Sequence, residues 1–147
     1  MDRTAVEEEY VEYVTARADG LRRLAFALTG DPDLADALVQ STVTDLYVHW
    51  RRARSAPDLD ADVRSALVRS WVRGRRRVVG RASADSVRAA MQRLPRRVQA
   101  VLVLRFGLGM SVDATAATLR CTDRAVRRRA ARGLEALRAH LGDPPPA

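Results

Sequence analysis

The side chains of this chain best placed to do chemistry are the arginines of one stretch. From Ser111 to His140 the sequence reads SVDATAATLR CTDRAVRRRA ARGLEALRAH, with Arg124, Arg127, Arg128, Arg129 and Arg132 crowded together. A guanidinium is a planar fork of donors. It meets phosphate oxygens, or the O6 and N7 edge of guanine, with two parallel hydrogen bonds. The chemistry on offer is recognition of nucleic acid. Two helices are needed to present it. Ser111 suits the N-cap of a short first helix, with Asp113 in its first turn, and Val112, Ala116 and Leu119 form its apolar side. The turn falls at Arg120–Thr122, and Thr122 suits the N-cap of a second helix whose positive end Asp123 complements. Val126, Ala130, Leu134, Leu137 and Leu141 recur at spacings of three and four, the expected buried stripe of that helix. A small-residue helix, a tight turn and an Arg-rich helix together define a helix-turn-helix, whose second helix enters a major groove. Thr122 and the five arginines are therefore the candidate DNA-contacting residues.

Composition agrees with an all-α chain. Among 147 residues there are 8 Gly and 6 Pro, and alternating β-branched runs are absent. All 26 basic residues are Arg, as expected of a high-GC coding sequence. Charge is unevenly spread. Residues 1–50 hold four Arg against ten carboxylates, residues 51–81 ten against three, and residues 82–147 twelve against five. An acidic first third followed by two basic blocks implies two kinds of partner surface, the basic ones suited to phosphate backbones. A single cysteine, Cys121, excludes a disulfide framework within the chain and a cysteine-cluster zinc site, and it is expected as a small buried residue at the turn. The acidic start lacks an apolar signal segment and no apolar run reaches membrane-span length, so the expected location is the cytoplasm, without membrane contact. His49 and His140 are too few for a His-based metal motif. No phosphate loop, nucleophile elbow or catalytic carboxylate pair is present, so neither an enzyme, a small-molecule substrate nor a cofactor is expected.

In chain order, a first helix is predicted over Ala5–Leu28, with Gly20 marking a bend or a close neighbour. Thr29-Gly30-Asp31-Pro32 ends it: Gly30 suits C′, Asp31 an N-cap and Pro32 the first helical position. A second helix is predicted from Pro32 to Arg54, with Leu34, Leu38, Val39, Val43, Leu46, Tyr47 and Trp50 as its apolar stripe, and a third over Leu59–Arg77. Asp58, Asp60 and Asp62 stand at the start of the third helix, where N-capping explains them. These three form one small helical domain, residues 1–77. A linker over 78–83 leads to a four-helix domain at 84–141 that ends in the helix-turn-helix, and 142–147 is a disordered tail.

Two blocks then carry a family resemblance. LRRLAFALTGDPDLADALVQSTVTDLYVHWRR is similar to region two of bacterial sigma factors of the extracytoplasmic-function group, and the Ala-, Arg- and Val-rich composition is actinobacterial in style. MQRLPRRVQAVLVLRFGLGMSVDATAATLRCTDRAVRRRAARGLEALRAHL resembles region four of the same group. The resemblance spans residues 6 to 141. It implies a sigma factor that directs core RNA polymerase to promoter DNA and is itself held in check by an anti-sigma factor. It places Asp36, Leu38, Val39, Gln40 and Asp45 on the polymerase-docking helix. It places Arg64, Arg69, Arg73, Arg75, Arg76 and Arg77 where the minus-ten DNA is gripped, and the second helix of the helix-turn-helix on the minus-thirty-five element.

The sequence also departs from the family. Ala37 and Ser41 replace the acidic residues that flank Leu-Val-Gln. Asp62 and Arg69 stand where an aromatic residue and Asn are usual, and an Asp cannot stack on a flipped base. Arg120 occupies a turn position that commonly holds Gly, which implies a non-glycine residue at positive φ. These departures keep two other readings open. One is a helix-turn-helix regulator without productive polymerase docking. The other is a protein-interaction module that binds an anti-sigma factor or another regulator, its basic faces merely solvated.

Overall fold

The structure, a computed structural model, describes residues 3–74 and 86–141. Among these the ordered elements are all helical. The expected 78–83 linker, the arginines 75–77 and the 142–147 tail lie outside the described residues. The chain divides into two compact units, residues 1–70 and 71–147.

In the first unit α1 (Arg3–Thr29) packs along α2 (Pro32–Val48). The junction follows the sequence closely. Gly30 takes φ 69° and its N–H closes on the Phe26 carbonyl at 2.8 Å. Asp31 caps α2, its carboxylate accepting from the N–H groups of Asp33 (2.8 Å) and Leu34 (3.1 Å). Val6, Leu21, Leu24, Ala25 and Leu28 of α1 are buried, as are Ala35 and Thr42 of α2. Gly20 lies within a continuous α1 with nothing within 4 Å of an added Cβ, so it marks no close neighbour.

The second predicted helix does not run unbroken to Arg54. It stops at His49, which adopts φ −105°, ψ 14°, and α3 (Trp50–Ala53) follows. The His49 N–H is shared between the Asp45 and Leu46 carbonyls, and its Nδ1 lies 3.0 Å from the Asp45 oxygen. A ring that competes for the i−4 carbonyl weakens the helical ladder at that step. Beyond the break Trp50 is buried, and its indole N–H donates to the Val6 carbonyl at 3.0 Å. Tyr10 stands edge-on to both Trp50 and Tyr47, with centroids 5.4 and 5.0 Å apart. Tyr47, expected in the buried stripe, is 51% exposed and covers α1 from outside, with its hydroxyl directed to Glu7.

Polar braces hold the remaining helices on α1. Glu9 receives two bonds from Arg54, at 2.6 and 2.8 Å, which keep its carboxyl below the ordinary range. On α4 (Leu59–Arg73) the Asp60 carboxylate accepts from Arg17 Nε (2.8 Å) and the Tyr13 hydroxyl (2.6 Å). Arg17 first, then Tyr13, lower the Asp60 pKa. Burial first, then the Asp60 contact, raises that of Tyr13. Of the three alternating aspartates only Asp58 caps α4 through a side-chain bond, to the Ala61 N–H at 3.1 Å. Val63, Leu67 and Val68 supply the buried side of α4, and Ala66 is exposed.

The second unit opens with Trp71, over whose ring the Arg96 guanidinium lies at 5.0 Å. Arg96 also donates to the carbonyl oxygens of Trp71 (2.7 Å) and Gly74 (2.9 Å). After α5 (Ser86–Gln92), α6 (Arg96–Leu102) is buried continuously from Val98 to its end and is the central helix of the unit. The chain does not stay α-helical beyond it: Val103–Gly107 widens into a π-helical turn, with the Leu108 N–H on the Val103 carbonyl at 3.0 Å. The extra residue lets Val103 and Leu104 both remain buried while Phe106 turns outward. Then come α7 (Val112–Leu119) and α8 (Asp123–Leu141), with α8 packed on α5, α6 and α7.

The face of α8 turned to α6 differs from the expected stripe. Leu134 is 43% exposed, whereas Gly133 is buried. A Cβ at Gly133 would lie 2.8 Å from Val98 Cγ1 and Leu102 Cδ1. The absence of a side chain there sets how closely α8 approaches α6, and that contact fixes the rotation of α8.

Candidate nucleic-acid interface

The helix-turn-helix is built from two side-chain caps and one strained residue. The Ser111 hydroxyl accepts from the Ala114 N–H at 3.0 Å and starts α7. At the other end Arg120 takes φ 56°, ψ 50°, the only positive φ at a non-glycine residue among those described. The Arg120 N–H bonds the Ala117 carbonyl (3.3 Å) and the Cys121 N–H the Ala116 carbonyl (3.0 Å), the paired pattern of a Schellman ending. The left-handed conformation expected at Arg120 is thus present. Cys121 is half-buried rather than fully enclosed. Thr122 caps α8, its hydroxyl accepting from the Ala125 N–H at 3.0 Å, so that oxygen is engaged by the backbone.

Burying Ala125, Val126 and Gly133 turns the opposite side of α8 to solvent. Arg124, Arg127, Arg128 and Arg132 are all exposed, at spacings that place them along one side of the helix. Arg129 is not with them. It is half-buried, and its Nη1 is enclosed without a hydrogen-bond partner. Four guanidiniums next to the free N–H groups of a helix N-terminus form a surface that attracts phosphate and presents only donors to base edges. A feature not evident from spacing is the pairing of Asp113, in α7, with Asp123, in α8. The Asp123 carboxyl is held above its ordinary value mainly by its hydrogen bond to Asp113. Acidic residues at the start of two helices joined by a tight turn were the available signal.

The arginines of α4 do not form one row. Arg73 is exposed and Arg69 half-buried, four residues apart on one side. Arg64, nine residues from Arg73, faces elsewhere, half-buried with its Nε enclosed and unpartnered. On α2, Asp36, Gln40 and Asp45 are exposed, as are Ala37 and Ser41, while Leu38 and Val39 are half-buried. Asp36 is paired with Arg22 at 2.9 Å.

Residues 84–137 match the family "Sigma-70, region 4". No curated protein matches the chain in sequence. Among solved structures, the sigma factor RpoE of Bartonella quintana, crystallised with the anti-sigma factor NepR, is similar at a TM-score of 0.69 and 17% identity, covering 91% of this chain and 97% of that one. That likeness gives the two-unit helical fold, and the sequence match gives the class of the second unit. Residues 84–137 thus carry the region-four sequence pattern, within a chain whose helical fold is similar to that of a sigma factor. The helix-turn-helix, from Ser111 through α8, falls almost wholly within the matched residues.

Proposed function

We propose that this chain is a sigma factor of the extracytoplasmic-function type that gives core RNA polymerase its promoter specificity, working in the cytoplasm as a specificity subunit that catalyses nothing itself. The observation that carries the reading is the exposed arginine side of α8 within the region-four match. Arg124, Arg127, Arg128 and Arg132 contact the minus-thirty-five duplex, with Thr122 holding the helix end in register. Arg129, off that side, supports the helix from behind. On the first unit, Asp36, Gln40 and Asp45 meet the polymerase, and the half-buried Leu38 and Val39 set the pitch of α2. Arg69 and Arg73 grip the minus-ten region together with the arginines that follow at 75–77, while Arg64 braces α4. An anti-sigma factor, of the kind bound to the similar sigma factor RpoE, is the partner that restrains it.

The test is run-off transcription with core polymerase on fragmented genomic DNA. Defined transcripts that require the protein support the reading, and their start sites yield both promoter elements. Duplex binding without a polymerase complex would give instead the regulator reading, which Ala37, Ser41 and the Arg22-paired Asp36 favour. Binding should fall steeply with salt. An Arg-to-Ala change that frees one phosphate from its guanidinium should make the log–log slope shallower by about 0.9.

A further inference from the structure

The exposed side of α8 is rich in donors and poor in acceptors. Arg124, Arg127, Arg128 and Arg132 offer only N–H groups. Guanine satisfies them through O6 and N7, and so does any phosphate. From Asp123 to Leu134 the helix carries a single carboxylate, that of Asp123 itself. Glu135 lies twelve residues on, about 18 Å along the axis, which is further than the major groove is wide, about 12 Å. In a helix-turn-helix the N-terminal residues of the second helix are the ones that meet base edges. Asp123, the first residue of α8, is therefore the carboxylate placed to accept there.

Folding does not use up that carboxylate. An acidic residue at a helix start is ordinarily accounted for by capping. Here the cap is taken, because the Thr122 hydroxyl accepts from the Ala125 N–H at 3.0 Å. The hydrogen-bond neighbour of the Asp123 carboxyl is Asp113, in the first turn of α7. Arg127, one turn on and on the same side of α8, forms no ion pair with Asp123 among the described residues. Two adjacent carboxyls repel when both are ionised, an arrangement that neither helix needs. A donor brought from outside relieves it, and Asp123 keeps part of its surface open to solvent.

Two bases carry an amino group in the major groove, cytosine at N4 and adenine at N6. Adenine sets the N7 lone pair beside its amino group, and a carboxylate, which only accepts, is repelled by it. Cytosine shows the donor without a neighbouring acceptor. Its paired guanine turns O6 and N7 to the same groove, where they suit the fork of Arg127, about 6 Å from Asp123 along the axis.

We infer that Asp123 is a specificity-determining residue of the helix-turn-helix, accepting from the N4 amino group of a cytosine whose base pair, or the next one, offers guanine to Arg127. The inference rests on the promoter-duplex reading of α8 and adds the base pair that the helix selects.

The test is selection from a randomised duplex library by the full chain at one fixed salt concentration, with the parent, Asp123→Ala and Asp123→Asn compared. The parent should enrich a motif in which one position prefers cytosine by about fivefold or more. Asp123→Ala should erase the preference at that position and leave the others intact. Asp123→Asn should move it to adenine, since an amide pairs with N6 and N7 together. The near-isosteric Asn variant keeps the test decisive if the alanine variant folds poorly. Asp123 could act only by repelling phosphate. Both variants would then bind every duplex more tightly with unchanged preferences, and the inference would be overturned. Loss of preference at all positions together with a lower melting temperature would make the residue a structural one, and overturn it equally. A parent motif that neither variant alters sinks this inference alone, whereas a parent that enriches no motif sinks the promoter-duplex reading with it.

Discussion

Gly133→Ala sets two effects of known size against each other. In an unencumbered helix interior the change is favourable by about 1 kcal/mol, because alanine has the higher helix propensity. Here the new Cβ would lie 2.8 Å from Val98 Cγ1 and from Leu102 Cδ1, and 3.1 Å from Leu102 Cγ. Carbon atoms rest at about 3.5–4.0 Å, so two contacts overlap by at least about 0.7 Å. A flexible side chain at the surface would give way cheaply. Val98 and Leu102 are 3% and 4% exposed, and valine is stiff at χ1, so α8 itself must retreat. Overpacking of this kind costs about 1–3 kcal/mol, and the net is destabilisation by about 0–2 kcal/mol. Gly20→Ala provides the internal comparison. It lies within α1 with nothing within 4 Å of its added Cβ, and should stabilise by about 1 kcal/mol. Urea unfolding of the full chain, followed by far-ultraviolet circular dichroism, measures both. Opposite signs are expected. If Gly133→Ala stabilised the chain as much as Gly20→Ala, the close approach of α8 to α6 would be wrong, and with it the rotation that exposes the arginines.

Arg120→Gly should stabilise the second unit by about 0.5–1 kcal/mol. Relief of the left-handed conformation, about 1–2 kcal/mol, is partly offset by the greater freedom of glycine in the unfolded chain; a lower unfolding midpoint would refute the strain. Thr122→Ala removes the cap of α8 and should cost about 1 kcal/mol, with duplex affinity falling in parallel. An unchanged melting temperature would mean that backbone packing alone holds that helix end. Asp60 tests linkage. Its folded pKa lies below the unfolded value of about 3.9, so its contribution is present above that value and is lost as the pH falls through the folded pKa. The stability gap between the parent chain and Asp60→Asn should therefore close as pH drops from about 5 to about 2. A gap independent of pH would show that the ionised carboxylate is not what Arg17 and Tyr13 hold.

Much of this protein is legible without coordinates because local chemistry is decisive at helix ends. Gly30, Asp31 and Pro32 each have one favourable use at a helix junction, and Ser111 and Thr122 cap the helices that follow them. The arginine face of α8 follows from its periodicity, since the apolar side must be buried and the remainder turns out. Arg120 could be assigned a positive φ only through the family resemblance, which places it at a turn position that commonly holds Gly. Tertiary structure decided what depends on neighbours distant in sequence. Leu134 and Gly133 are adjacent, and only the presence of α6 makes the glycine the contact and leaves the leucine exposed. Arg64 and Arg129 belong by composition to basic faces, yet packing encloses one nitrogen of each. The break at His49 and the π turn at Val103 arise where a continuous helix would misplace Trp50 or Leu104 against its core. Sequence thus determined where helices begin, end and carry charge, because those preferences act over a few residues. Which side of each helix faces inward was settled by shape complementarity between elements, which no local pattern encodes.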